Sequence, residues 1–378
     1  MIEVQDIFQE YGNRYRQSNN LSSVQAKAFE AITNCRTSVL GGHINSCDKC
    51  DFQEIAYNSC RNRHCPKCQT IKKEQWIENQ EQYLLNVPYF HVVFTIPNNL
   101  NQVMYQNQSV MYKILFKAVS KTLLELGYDK KYLGAKLGIT AVLHTWGQNL
   151  LYHPHIHCII PSGGLTDNGK WCNTRKKFFI PVKVLSKMFR GKFMAYFKEA
   201  ELNFYGEMED LNIHSNLCAF ISNLHQKNWM VYCKPPFENA TKVIKYLGRY
   251  THRVAISNNR ILKLEDGKVT FKWRDYKDEN KVKEMTIPVN EFIRRFILHV
   301  LPSGFHKIRH YGILAPKGKS DRITICKKLT NTTIKPFEPR KPLEILRDIL
   351  GDKFNKCPEC GVGKLLRAPP DLETDKAA

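Results

Sequence analysis

Apolar positions along the chain change spacing several times, and each change marks a different kind of element. Val24, Ala28 and Ile32 recur on one helical face behind Ser22-Ser23, a capping pair, so the first thirty-odd residues read as helix. From there to Cys68 aliphatic residues are scarce. A segment that cannot build a core must be held by something else, and bound metal is the available device. Ile71 to Leu85 reads as a polar linking helix. Tyr89-Phe90-His91-Val92-Val93-Phe94-Thr95-Ile96 is β-rich and apolar on both faces, as a central strand requires. Val110, Ile114, Ala118 and Leu126 lie near a helical period that stops at Gly127. Ile139 to Leu143 and His155 to Ile160 read as strands. Leu185, Phe189, Phe193 and Phe197 repeat at i+4, which predicts a helix carrying Lys187, Arg190 and Lys192. Trp229 to Cys233 predicts a strand ending at Pro235-Pro236, followed by a helix over Thr241 to Tyr250. A β section follows: Val254 to Ser257, Arg260 to Leu264 and Val269 to Trp273, with turns at Asn258-Asn259 and Asp266-Gly267. Asn290 to Leu301 returns to helix. Strands and helices are mixed rather than strictly alternating, which predicts an α+β fold.

Charge narrows the partner. Lys and Arg number 57 against 35 Asp and Glu, a net +22 over 378 residues. A solubilising surface needs only about 2–8 in a small domain, so a polyanion is the expected partner, nucleic acid first. No run approaches the ~18 apolar residues of a membrane span. The start, Met1-Ile2-Glu3-Val4-Gln5-Asp6, has neither a basic nor an apolar export region, so a cytoplasmic location is expected.

Of thirteen cysteines, six lie between Cys35 and Cys68 and two form Cys357-Pro-Glu-Cys360. Short-spaced cysteines without an export signal read as metal ligands. Zinc takes four tetrahedral sulfur or nitrogen ligands, commonly from two close pairs. Cys47-x2-Cys50 with Cys65-x2-Cys68 forms such a set, and Cys35, His43, Cys60 and His64 remain as a possible second one. Four buried free thiols are the poorer explanation, because Asp48, Lys49, Asp51, Arg61, Arg63 and Lys67 surround the first set. Closed ligand sets imply structural zinc. Cys357 and Cys360 are half a site, to be completed elsewhere or not at all.

His153-Pro154-His155-Ile156-His157-Cys158 carries the most chemistry per residue. On a strand, His155 and His157 project from one face. Two adjacent imidazoles need one or two further ligands to hold a metal. Gln148 reaches the site if the preceding chain pairs back, and His144 and His153 are alternatives. A lone His-x-His is more often a pair of half-exposed strand residues, so context decides. The histidine-triad nucleotide hydrolases and transferases offer one context, through His153, His155 and His157, but leave the cysteines and the charge unexplained. Tyr246 and Tyr250 share a helical face within Lys245-Tyr246-Leu247-Gly248-Arg249-Tyr250-Thr251-His252-Arg253. Packing is the usual reason for such a pair. A phenol that attacks phosphate, unlike one buried for packing, has a use for so many cationic neighbours.

Three blocks in this order resemble the rolling-circle transposases of the HUH superfamily, specifically the two-tyrosine insertion sequence ninety-one family. They are Phe90-His91-Val92-Val93-Phe94-Thr95-Ile96-Pro97, Leu143-His144-Thr145-Trp146-Gly147-Gln148 running into His153-Pro154-His155-Ile156-His157, and Tyr246 to Arg253. Tyr57-Asn58-Ser59-Cys60-Arg61-Asn62-Arg63-His64-Cys65-Pro66-Lys67-Cys68 is similar to that family's zinc-binding domain, and Leu301 to Gly312 resembles the end of its core.

The resemblance implies an HUH core, a central antiparallel sheet with flanking helices, preceded by a small zinc-binding domain. The expected division is 1–85 for the N-terminal helix and zinc domain, 86–315 for the nuclease and strand transferase, and 316–378 for a basic extension with a disordered tail. It implies single-stranded DNA at transposon ends and target as the partner, and a bacterial, nucleoid-associated location. Mg²⁺ or Mn²⁺ on His155, His157 and Gln148 is the implied catalytic ion. Tyr246 and Tyr250 are the implied nucleophiles, with Lys245, Arg249 and His252 assisting. The basic, aromatic-bearing stretches Lys176 to Phe179, Lys272-Trp273-Arg274 and Arg294-Arg295-Phe296 suit strand tracking. A rolling-circle replication initiator with the same chemistry and a non-catalytic zinc-dependent DNA-binding regulator are the alternatives.

Overall fold

The computed structural model describes residues 2–175, 179–237, 243, 248, 255–276, 278–334 and 336–367. The helical N-terminal stretch is two helices, Val4–Ser18 and Ser23–Thr33. Ser22 starts the second, its hydroxyl accepting from the Gln25 amide while the Gln25 side chain reciprocates, a capping box. The cysteine-rich region contains a hairpin of β1 (Gly42–Cys47) and β2 (Gln53–Tyr57), then the helix Gln69–Glu81.

The central sheet follows, built from β3 (Tyr89–Thr95), β4 (Lys136–Trp146), β5 (Tyr152–Pro161), β6 (Gly163–Leu165), β7 (Trp171–Asn173) and β8 (Met230–Phe237). Their order is β7-β6-β4-β5-β3-β8, so the histidine strand β5 lies between β4 and β3. A smaller sheet is made of β9 (Ile261–Glu265), β10 (Lys268–Asp275) and β11 (Lys281–Pro288). β12 (Ile308–Gly312) then returns to pair with β4, and β13 (Leu365–Arg367) pairs with β1. Every strand pair among the described residues is antiparallel. The expected α+β architecture, a central antiparallel sheet with flanking helices preceded by a cysteine-rich region, is the observed one.

Burial on one face of this sheet fixes what the other face displays. Phe90, Val92, Phe94, Leu143, Ile156, Cys158 and Ile160 pack against the helices Gln108–Tyr128 and Val182–Lys198. Slipping β5 by one residue would turn Ile156 and Ile160 outward and drive His155 and His157 into that core. Each large apolar side chain so exposed costs about 1.5–3 kcal/mol, so the register is firmly set. A second core joins the two N-terminal helices to β9–β11 and the helix Val289–Ile297, through Phe8, Phe29, Phe271, Phe292 and Phe296.

Several expectations need correction. Residues 255–257 are not strand: Ala255 and Ile256 are buried in the second core, and a 3-10 turn follows at Asn258–Arg260. β11 begins with exposed Val282 between Lys281 and Lys283, and only Met285 and Ile287 turn toward the second core, too short a stripe to reveal it. Phe179 and Phe296 are core residues rather than stacking platforms. Arg294 and Arg295 are both engaged by Glu291. Lys272 and Arg274 remain exposed on β10, beside exposed Tyr276.

Candidate functional site

Strand register assembles the histidine site. His155 pairs directly with His144 of β4, and His157 with Val142 of β4 and Val93 of β3. Directly opposed residues in an antiparallel sheet project to the same side. His144, His155 and His157 accordingly bring one ring nitrogen each to within 4.8 Å of one another. Each ring is steadied by a neighbour. Trp146 stacks on His144 at 5.0 Å between centroids, and the Nδ1 of His155 donates to the His153 carbonyl at 2.6 Å. The Nδ1 of His157 is hydrogen-bonded to the Nε2 of His91 on β3 at 2.7 Å, the rings nearly parallel. Such contacts fix the tautomer and aim the opposite nitrogen, as in metal-binding histidines generally.

Burial favours neutral imidazoles throughout. Burial, followed by the charge of His153, pushes His155 down to about 3. His157 is driven well below the usual histidine range by burial and then by His144 and His155, and burial with Lys234 nearby takes His91 to about 4. Neutral imidazole is the ligating form. Three nitrogens converging from two strands therefore fit a divalent transition metal.

Gln148, expected as the third ligand, has its side chain engaged elsewhere. The chain does pair back, but it turns across Gly147 to Leu151, leaving Gln148 in the turn and His144 opposite His155. The Gln148 side chain donates instead to the Tyr276 hydroxyl at 2.9 Å, and the Gln148 backbone carbonyl accepts from Arg260. His153 contributes its backbone carbonyl to His155, and the ring nitrogens that gather are those of His144, His155 and His157.

Tyr246 and Tyr250, with Lys245, Arg249 and His252, lie outside the described residues. Two positions of their segment are described, and both are helical. Val243 is fully buried with Val142, Ile159 and Tyr89 on the histidine side of the sheet, where Trp76 of the helix Gln69–Glu81 also packs. Gly248 lies against Ile77 of that same helix, so closely that a Cβ would overlap the isoleucine side chain.

The cysteines group differently from the expected sets. Cys65 and Cys68 join Cys35 and Cys60, while Cys47 and Cys50 join Cys357 and Cys360, each set with its sulfurs within 4.8 Å of one another. The Cys35–Cys68 and Cys60–Cys68 sulfurs are 3.5 and 3.6 Å apart, close to the ~3.8 Å edge of a tetrahedron with Zn–S near 2.3 Å. His43 and His64 belong to neither set. His43 is held in β1 opposite Ala56, and buried His64 receives the Arg63 guanidinium, with burial and then Arg63 pushing it down to about 3. Chain direction explains the regrouping. β1 and β2 carry Cys47 and Cys50 away to the end of their hairpin, whereas Cys35 and Cys60 flank its base, beside Cys65 and Cys68, where the Arg36 amide donates to the Asn58 carbonyl.

Comparison with known proteins agrees with this layout. A family model described as "Transposase zinc-binding domain" matches residues 7–96, and one described as "Putative transposase" matches residues 138–322. The chain is 44% identical over 374 residues to "Putative transposase y4qJ" of Sinorhizobium fredii (strain NBRC 101917 / NGR234), covering 96% of this chain and 94% of that protein. It is 26% identical over 309 residues to the transposase for insertion sequence element IS801 of Pseudomonas savastanoi pv. phaseolicola, covering 79% of this chain and 72% of that protein. Among solved structures, the conjugative relaxase TrwC in complex with oriT DNA superposes with a TM-score of 0.26 at 11% identity, over 43% of this chain and 71% of that one. That superposition is too slight to carry weight. No helix among the described residues is long and apolar enough to cross a membrane. Matched at both ends of its core and along nearly the whole of a curated relative, the chain belongs to the insertion sequence ninety-one family of transposases.

Proposed function

We propose that the chain is an HUH-type, metal-dependent single-stranded DNA endonuclease and strand transferase working through a 5′-phosphotyrosine intermediate. The observation that carries this reading is the trio of imidazole nitrogens on the sheet face against which Val243 is buried. Tyr246 and Tyr250 follow Val243 by three and seven residues, the spacing that shares one helical face. That shared spacing is the ground on which this reading assigns both tyrosines to the site of His144, His155 and His157. Gly248, five residues on, falls away from that face, in keeping with its closeness to Ile77.

His144, His155 and His157 would hold a divalent cation, with Mn²⁺ suiting three imidazoles better than Mg²⁺. Bound there, it supplies Lewis-acid polarisation of a phosphoryl oxygen. The remaining work belongs to the chain. At a reference pKa of ~10, about one tyrosine in a thousand is ionised at pH 7, so the nucleophile needs help from Lys245, Arg249 or His252. Attack by the phenol oxygen joins it to the 5′-phosphate and frees the 3′-hydroxyl. The ester retains the phosphodiester's energy, so another 3′-hydroxyl can displace the tyrosine without ATP. With two tyrosines, one can hold a DNA end while the other cleaves.

One structural zinc on Cys35, Cys60, Cys65 and Cys68 completes the N-terminal domain, and the +22 charge, with exposed Lys272 and Arg274, serves DNA backbone contact in a bacterial cytoplasm. The test is a suicide substrate: single-stranded transposon ends with Mn²⁺ and the full chain. A covalent adduct mapped to Tyr246 or Tyr250 by mass spectrometry, and lost in Tyr246→Phe plus Tyr250→Phe, is the expected result. An adduct surviving in the double variant overturns the tyrosine assignment. Binding without cleavage by the unmodified chain would make it a regulator, and nicking confined to a plasmid or phage origin would make it a replication initiator.

A further inference from the structure

Residues 357–367 lie beyond both matched family ranges and have almost no core of their own. Val362 is 80% and Leu366 is 54% exposed, yet Cys357 is only 1% exposed. Its side-chain partner is another sulfur. Cys357 lies 3.7 Å from Cys50, and Cys360 lies 3.8 Å from Cys47, sulfur to sulfur. Both distances match the ~3.8 Å tetrahedral edge of a four-thiolate zinc site.

The backbone on both sides is shaped for the same purpose. The Lys49 amide donates to the Cys47 sulfur at 3.3 Å, and the Gly363 amide donates to the Cys360 sulfur at 3.2 Å. Gly361 takes a left-handed φ of 64°, open to glycine, which turns the chain back after Cys360. Gly363 approaches so closely that a Cβ there would overlap the Cys47 sulfur. Past this point β13 joins the edge of β1, pairing Leu365 with Cys47 and Arg367 with Asn45. The Lys364 amide donates to the Asp48 carboxylate, and the Asp48 amide donates to the Lys364 carbonyl. Four free thiols, Cys357 buried and the other three half-buried, find little apolar cover here, since Lys356, Pro358 and Glu359 are all exposed.

We propose that Cys47, Cys50, Cys357 and Cys360 bind one zinc ion, a clasp that fastens the C-terminal extension to the N-terminal domain. This site is separate from the Cys35, Cys60, Cys65 and Cys68 set and does not depend on the catalytic reading. The clasp anchors the far end of a segment that first crosses the helix Gln69–Glu81, where Arg340 pairs with Glu78 and the helix Pro342–Leu350 begins. That exposed ion pair contributes little by itself. The metal adds to the pairing of β13 with β1 in holding residues 357–367 in place.

Native mass spectrometry of the full chain counts the ions. The three variants are Cys47→Ser with Cys50→Ser, Cys357→Ser with Cys360→Ser, and all four together. Each is expected to lose the same single zinc relative to the unmodified chain. Retention of the full count in the Cys357→Ser, Cys360→Ser variant, or a loss of two ions when all four are changed, overturns the proposal. Differential alkylation of the unmodified chain guards against misfolded variants. Graded chelation is expected to expose Cys47, Cys50, Cys357 and Cys360 to alkylation together. Alkylation of Cys357 and Cys360 in the zinc-loaded chain while Cys47 and Cys50 stay protected overturns it equally.

Discussion

His144, His155 and His157 meet because two neighbouring strands share one register, whereas the eight clustered cysteines meet because loops and a returning tail bring them together. In the first region the side-chain period of a strand converts sequence position directly into a direction in space. In the second, nothing in the spacing of Cys47, Cys50, Cys65 and Cys68 records that the hairpin between them carries one pair away from the other. Regular backbone transmits sequence information over short distances. Irregular backbone scrambles it, and only the fold restores it.

The sharpest way to break this contrast is to remove a register-placed ligand. His155→Ala or His157→Ala should lower Mn²⁺-dependent cleavage of a single-stranded end by about 10³-fold or more, the several kcal/mol a bound metal contributes. The thermal midpoint should hold, since these rings lie outside the main core. Unchanged cleavage in both would remove the histidine site from the chemistry.

The next comparison separates register from proximity in sequence. His144→Ala should weaken Mn²⁺ binding by more than the about 10–100-fold typical of an outer-shell partner. Gln148→Ala should change it by less than about threefold. Isothermal titration of both variants decides the matter, and the reverse ranking would restore Gln148 as the ligand.

A pH titration tests how the register itself is pinned. Buried His299 bridges the Thr145 hydroxyl and the Leu150 carbonyl across the β4–β5 turn, and burial pushes it down to about 4. Its unfolded value is about 6.5, so below that the unfolded chain binds the extra proton and the folded chain does not. The contribution is fully present above pH 6.5 and is lost as pH falls toward 4, up to about 3 kcal/mol in all. Denaturant midpoints across that window should fall with pH, and less steeply in His299→Gln.

The smallest effect concerns the helix behind the site. Gly248→Leu should destabilise by about 1–3 kcal/mol, because no room exists between that position and Ile77. Ile77→Ala combined with it should recover part of the loss in the same melts. Additive losses in the pair would separate the two helices.

Much of the fold could be read before the structure, for reasons visible residue by residue. Tyr89 to Thr95 and His155 to Ile160 are apolar enough to be nothing but central strands, and Phe189, Phe193 and Phe197 mark their helix by period alone. β11 escaped because its inward apolar residues, Met285 and Ile287, are too few to mark a strand. His144 was legible as a candidate but not as the choice, because a hairpin's turn position decides which residue faces His155. His91 went unassigned as the partner of His157, although its place on an apolar strand next to the histidine strand was a usable signal. The union of Cys50 with Cys357 spans 307 residues, a distance over which no local pattern speaks.

That span has a consequence for how the molecule is made. Cys47 and Cys50 leave the ribosome hundreds of residues ahead of Cys357 and Cys360, so their cluster cannot close until residues 357–360 have been made. A nascent chain that has not reached Cys357 leaves Cys47 and Cys50 without the two thiols that face them in the fold.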